Sequence, residues 1–191
     1  MLNRLRPNVK KFIDPIAKRI KVNPNVLTIL GLIVSILSGL MFAVGDLLLG
    51  AAMILLSGFV DMLDGAVARN NSSKTKFGGI LDSTSDRFAD AAIIIGIMYG
   101  GFVNPLIGAL AIHASLTVSY VRARAESEGI NCSVGFAERA ERLIIVVAGA
   151  ILSVVFNENT ILYGAVVLIM ILGYLTVFQR VYHSWKELKG Q

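Results

Sequence analysis

The chain predicts an all-α integral membrane protein: six transmembrane helices preceded by an N-terminal amphipathic helix at the membrane surface. Three observations carry this. The 191 residues are 55% hydrophobic and only 16% charged, a composition foreign to water-soluble domains. Apolar runs close to the roughly 20 residues needed to cross a bilayer alternate with short Gly-, Asn- and Pro-containing turns. Basic residues gather at 4–21, 69–76, 122–124, 139–142 and 180–188 instead of spreading along the chain. A net charge of +5 placed in this way marks one side of a membrane and contact with anionic headgroups; it argues against nucleic acid as a partner.

Residues 1–22 form the surface element. Leu5, Val9, Phe12, Ile13, Ile16, Ala17 and Ile20 recur near helical spacing among basic residues, and Pro7 and Pro15 limit or kink the helix. The segment lacks a small-residue cleavage site after a short apolar core, so it is not expected to be a removable signal peptide. Residues 23–191 form the six-span bundle, and the whole chain reads as a single domain. Asn25 or Pro24 opens span 1, roughly Val26 to Val44, and Gly45-Asp46 turns the chain into span 2, Leu47 to Ala68. The polar stretch Arg69 to Lys76 is expected to be a loop. Span 3 runs from Phe77 to Tyr99, and Gly100, Gly101 and Pro105 mark the next turn. Span 4 covers Leu106 to Val121, with its helix continuing to Arg124, followed by a polar loop from Ala125 to Glu138. Span 5 is Arg139 to Phe156 and span 6 is Ile161 to Phe178, trailed by a basic tail. Six spans place both termini and every basic loop on one side, which is then cytoplasmic; no Lys or Arg falls on the other. Tyr99, Phe102, Tyr163, Tyr174 and Trp185 suit boundary anchors, and His113 reads as a hydrogen-bonded helix contact. The single Cys132 excludes an intramolecular disulfide.

The chemistry concentrates in DMLDGAVARNNSSKTKFGGILDSTSD, residues 61–86. Asp61, Asp64, Gly65, Ala68 and Arg69 form one helical stripe, and Gly78, Asp82 and Asp86 form a second. The loop between them lets the stripes face each other. Carboxylates at membrane depth are expensive, and four together repel, so divalent cations are expected between them. Oxygen-only ligands suit Mg²⁺ or Mn²⁺, and two ions about 3.5–4 Å apart can clamp a displacement at phosphorus. Gly65, Ala68 and Gly78 would admit a nucleotide close to the helices, although Gly65 and Ala68 equally suit tight helix packing. Arg69 can neutralise a phosphate.

The run Asp61-x2-Asp64-Gly65-x2-Ala68-Arg69-x8-Gly78-x3-Asp82-x3-Asp86 resembles the signature of the CDP-alcohol phosphatidyltransferase family at all eight fixed positions. The resemblance implies an enzyme that transfers the phosphatidyl group of a CDP-linked lipid to a hydroxyl acceptor and releases CMP. It implies that Asp61, Asp64, Asp82 and Asp86 hold two Mg²⁺ or Mn²⁺ ions and that Asp86 is also the base. It assigns Gly65, Ala68, Arg69, Thr75 and Gly78 to the CDP-lipid, together with Asn25, Val26, Leu27 and Thr28 at the start of span 1. Asp90 receives no metal role; it either supports the site or pairs with Arg87. A homodimer is also implied.

The arginines Arg122, Arg124, Arg139, Arg142 and Arg180 as a group suit a phosphate dianion on the acceptor, although each alone better suits a positive flank or a partner for Glu126, Glu138 or Glu141. SYVRARAESEG, GFAERAERLII and FQRVYHSW resemble the branch of the family that uses inositol 1-phosphate, with phosphatidylinositol phosphate synthases and archaetidylinositol phosphate synthases as its members. One departure is Ala140, where bacterial members tend to have proline. The donor is then CDP-diacylglycerol or CDP-archaeol, in the cell membrane with the site facing the cytoplasm. No Cys, Ser or His has the setting of an activated nucleophile, so direct displacement is expected. The nearest rival is glycerol 3-phosphate as acceptor. A cation channel or transporter is the rival of another class, but it would spread its acidic residues along a route instead of gathering them beside Arg69.

Overall fold

The computed structural model describes residues 6–70 and 75–189, with side-chain burial from Ile13 onward. They form seven α-helices: α1 (Arg6–Arg19), α2 (Pro24–Ala43), α3 (Leu47–Asn70), α4 (Lys76–Tyr99), α5 (Pro105–Ser127), α6 (Arg139–Phe156) and α7 (Thr160–Lys189). Among the described residues there is no strand. The chain divides into two compact units, Met1–Gly96 and Ile97–Gln191.

In the first unit α2 begins at Pro24, one of the two starts that the sequence offers. Asn23 is the cap: its side chain accepts the Asn25 N–H at 3.0 Å, and Pro24 fills the first helical position, where its missing N–H costs nothing. The reverse turn at Gly45, with φ of +89°, leads into α3, and Asp46 Oδ1 accepts the Leu49 N–H at 3.0 Å. Helices α2 and α3 are tied by buried hydroxyls. Ser35 and Ser57 lie 2.6 Å apart, Ser57 donates to the Gly31 carbonyl at 2.9 Å, and Ser38 donates to the Gly50 carbonyl at 2.8 Å. In lipid such polar ties and small-residue contacts replace the hydrophobic drive that packs helices in water. Helix α4 meets α2 backbone to backbone: a Cβ on Gly39 would collide with the Ala92 carbonyl, and one on Gly96 with the Gly39 carbonyl.

Helix α1 contains Pro15 and continues through it. It buries Ile13 and Ala17 against Leu63, Ala66 and Val67 of α3, with Ile20 and Leu27 packed alongside. The faces proposed for Leu5, Val9 and Phe12 lie outside the described side chains. The expected loop from Arg69 to Lys76 is shorter than drawn: Arg69 and Asn70 end α3, and Lys76 starts α4. Asn71 to Lys74 lie outside the described residues.

In the second unit α7 packs against both α5 and α6. Asn104 caps α5 as Asn23 caps α2, accepting the Leu106 N–H at 2.8 Å ahead of Pro105. Helix α6 begins at Arg139 as expected, because Glu141 accepts the Glu138 N–H at 3.0 Å. Ala140 falls in the first turn, where proline would be tolerated as well. The segment between α5 and α6 is irregular but pinned. Phe136 and Ala137 donate to Thr176 Oγ1 at 3.3 and 3.4 Å, His183 Nε2 lies 3.1 Å from the Asn131 carbonyl, and Ile130 and Cys132 are buried with Ala125. His113 Nδ1 meets Tyr174 Oη at 3.0 Å, so Tyr174 serves a helix contact where a boundary anchor was expected.

Four of the described helices are long and apolar enough to cross a membrane: α2, α3, α5 and α7. Helix α4 carries Asp82, Asp86, Arg87 and Asp90, and α6 carries Arg139, Glu141 and Arg142, which is why neither meets that measure. Large apolar side chains such as Leu40, Leu55, Ile95, Val155, Leu175 and Phe178 lie exposed on the helices. This is a multi-pass membrane protein.

Candidate metal and substrate site

The last three turns of α3 and the first three of α4 carry the acidic stripes. One carboxylate oxygen from each of Asp61, Asp64 and Asp82 falls within 4.8 Å of the others. Asp64 is 6% exposed, and its Oδ2 accepts a hydrogen bond of 2.7 Å from the Thr28 hydroxyl of α2. Asp61 and Asp82 are half-buried. Three anionic oxygens confined this closely repel strongly, and their all-oxygen chemistry fits a hard divalent cation. Leu63, Ala66 and Val67, the intervening residues of α3, face α1, so the hydrophobic side of the same turns anchors the acidic side.

Asp86 stands outside this trio, one turn further along α4. Its side chain is 22% exposed, with Oδ2 3.8 Å from Arg87 Nη1, and Arg87 Nη1 also donates to the Ser83 carbonyl at 2.6 Å.

The small residues behave as two different things. The position a Cβ would take on Gly65 lies 3.1 Å from Arg69 Nη1, so the guanidinium folds back over the glycine. On Gly78 the same position lies 3.1 Å from both Asn25 Oδ1 and Thr75 Oγ1. Thr75 also caps α4, accepting the Gly78 N–H at 2.9 Å. Ala68 is half-buried on the Asp61 stripe. The four residues assigned together at the start of α2 separate. Asn25 reaches Gly78, Thr28 reaches Asp64, Leu27 packs against the α1–α3 cluster, and Val26 is 46% exposed.

The arginines of the second unit fall into two groups. Arg122 pairs with Glu126 at 2.8 Å, and Arg124 pairs with Glu128 and donates to Ser127 Oγ at 3.0 Å, all on exposed helix surface. Arg142 and Arg180 are buried, 4% and 2% exposed. Arg142 Nη1 donates to the Ala137 carbonyl at 3.2 Å; Arg180 donates to Val134 through Nε at 2.8 Å and to Val118 through Nη1 at 2.6 Å. Arg139 opens α6 and is half-buried. The roles of Thr176 and His183 in holding the segment before α6 carried no sequence signal beyond their place on α7.

An all-helical membrane protein with three carboxylates placed where they could hold a cation is the class defined by this geometry. Residues 21–178 match the family model described as CDP-alcohol phosphatidyltransferase. The chain is 49% identical to the archaetidylinositol phosphate synthase of Methanothermobacter thermautotrophicus over 99% of its own length and 96% of that protein's. It is also similar to the crystal structure of Mycobacterium tuberculosis phosphatidylinositol phosphate synthase with CDP-DAG bound, with a TM-score of 0.81, 34% identity and coverage of 92% and 94% of the two chains. The same enzyme in complex with manganese and citrate also matches with a TM-score of 0.81 and 34% identity, over 91% and 88%. The chain belongs to the CDP-alcohol phosphatidyltransferase family and is a transferase of phospholipid synthesis that binds divalent metal.

Proposed function

We propose that the enzyme transfers the lipid phosphate group of a CDP-linked lipid to a hydroxyl of inositol 1-phosphate and releases CMP. The carrying observation is the Asp61–Asp64–Asp82 trio set within the complete acidic signature of the family. Similarity to an archaetidylinositol phosphate synthase at 49% identity over nearly the whole chain supports inositol phosphate as acceptor. Because the phosphatidylinositol phosphate synthase of Mycobacterium tuberculosis is 40% identical over only 71% of this chain, the same similarity favours CDP-archaeol over CDP-diacylglycerol as donor.

The residues divide the work as follows. Asp61, Asp64 and Asp82, joined by Asp86, hold two divalent ions, Mg²⁺ or Mn²⁺. Such ions, when bound, neutralise charge on the pyrophosphate and on departing CMP. Arg69 and Asn25, with Thr75, Gly65, Ala68 and Gly78, shape the seat of the CDP group. Asp86 accepts the proton of the attacking inositol hydroxyl; its partial exposure leaves it reachable by substrate. Arg139, Arg142 and Arg180 hold the acceptor phosphate, and the glutamate-paired Arg122 and Arg124 contribute field at its edge. Transfer is a direct displacement at phosphorus.

We further read α4 and α6 as spans, giving six, with α1 lying along the cytoplasmic surface and the site opening to the cytoplasm. Lys18, Arg19 and Lys21 lie exposed at the end of α1, and no Lys or Arg occurs in the connections α2–α3, α4–α5 or α6–α7. The chain is one membrane domain and forms a homodimer. Purified protein given CDP-archaeol, inositol 1-phosphate and Mg²⁺ should release CMP. Omitting either substrate, or chelating the metal, should abolish release. CMP production that ignores inositol 1-phosphate would contradict the proposal.

A further inference from the structure

The structure assigns Thr28 as the residue that positions Asp64: its hydroxyl fixes one carboxylate oxygen so that the carboxylate presents itself to the metal, in place of a contact with the nucleotide. The inference rests on Asp64 being a metal ligand. Thr28 Oγ1 lies 2.7 Å from Asp64 Oδ2 and 3.2 Å from the Pro24 carbonyl. A hydroxyl has a single proton, and the carboxylate is both the nearer and the stronger acceptor. Thr28 and Asp64 are 8% and 6% exposed, so the bond between them is shielded from water.

The surrounding sequence makes the hydroxyl a fixed point. Asn23 and Pro24 lock the first turn of α2, and Leu27, the neighbour, is packed into the α1–α3 cluster. One turn earlier Asn25 lies against Gly78. The start of α2 therefore reaches α3 through Thr28 and α4 through Asn25. Without the hydroxyl, Asp64 would face the Asp61 and Asp82 oxygens, within 4.8 Å, with one fewer group holding it there. Groups that orient a metal ligand in this way change metal affinity when removed, about 10- to 100-fold in measured cases.

The test is Mn²⁺ binding to purified protein without substrates, followed by electron paramagnetic resonance of the free ion, on Thr28→Val, Thr28→Ser and Asp64→Asn. Thr28→Val keeps the shape and removes the hydroxyl; it should weaken Mn²⁺ binding at least about tenfold, and Thr28→Ser should restore it to within about threefold. At saturating Mn²⁺ the KM for CDP-lipid should rise far less than the metal constant does. Unchanged Mn²⁺ affinity in Thr28→Val, with Asp64→Asn impaired, overturns the positioning role alone. So does a KM for CDP-lipid that rises at saturating metal as much as the metal constant, because that is the behaviour of a nucleotide contact. Unchanged Mn²⁺ affinity in Asp64→Asn overturns the metal reading of Asp64 and this proposal with it. If Thr28→Val does not fold, Thr28→Ala read by the same titration decides between these outcomes.

Discussion

Arg180→Ala should loosen the segment 129–138 before it does anything else. Arg180 is 2% exposed and donates to the carbonyls of Val134 and Val118 at 2.8 and 2.6 Å. Hydrogen bonds from a charged donor contribute about 1.5–3 kcal/mol each, so two would set an upper figure of about 3–6 kcal/mol. Val118 lies inside α5, where its carbonyl also belongs to the helix, and polar contacts between membrane helices average only about 0.6 kcal/mol. The Val134 bond, to irregular backbone, therefore dominates, and we expect a local loss of about 2 kcal/mol. That corresponds to roughly thirtyfold faster amide exchange across 129–138. Phe136 and Ala137 are the reporters, because their N–H groups donate to Thr176 on the same helix as Arg180. Hydrogen–deuterium exchange in detergent or nanodiscs reads this directly. Arg180→Lys should recover only part of the protection, since an ammonium cannot span two carbonyls as a planar fork does. Exchange in 129–138 unchanged within about threefold, in a folded Arg180→Ala protein, would refute the clamp and leave the guanidinium to the acceptor phosphate alone.

Asp86→Asn should abolish CMP release while CDP-lipid binding by calorimetry stays nearly intact, since the base is removed and the Asp61–Asp64–Asp82 trio remains; near-normal turnover would remove Asp86 from the base role. Asp61→Asn and Asp82→Asn should each weaken Mn²⁺ and nucleotide binding together, and calorimetric titrations indistinguishable from wild type would count against the cation site. Gly96→Val forces a side chain into the Gly39 carbonyl and should cost about 1–3 kcal/mol or more in thermal unfolding. Gly58→Ala, where a Cβ would meet nothing within 4 Å, should be neutral or stabilising by up to about 1 kcal/mol.

The parts of the molecule legible in the sequence are those that follow a period or a cap. Arg139–Phe156 was readable because a charged opening at Arg139–Arg142 and the turn at Asn157 enclose an apolar run; Asn157 adopts φ of +52°. The acidic stripes were readable because a spacing of three between Asp61 and Asp64 and of four between Asp82 and Asp86 puts each pair on one helix face whatever the tertiary detail. Hydropathy misplaces helix ends where a helix outlasts its apolar stretch: α7 continues from Phe178 to Lys189, and α3 takes in Arg69 and Asn70. Contacts between distant residues left no pattern. Thr28 meets Asp64 across 36 positions and Arg180 meets Val118 across 62, and a carbonyl looks the same in every residue type. Nothing in the run Asn25 to Thr28 distinguishes the residue that lies against Gly78 from the one that bonds Asp64.

The acceptor is tested most directly by competition. Wild-type protein is supplied with CDP-archaeol, Mg²⁺ and equal concentrations of inositol 1-phosphate, glycerol 3-phosphate and unphosphorylated inositol, and the lipid products are weighed by mass spectrometry. The account predicts that the phosphorylated inositol lipid dominates, with CMP formed in equal amount and little product from plain inositol. A glycerophosphate lipid as the main product, or equal use of inositol with and without its phosphate, would contradict it.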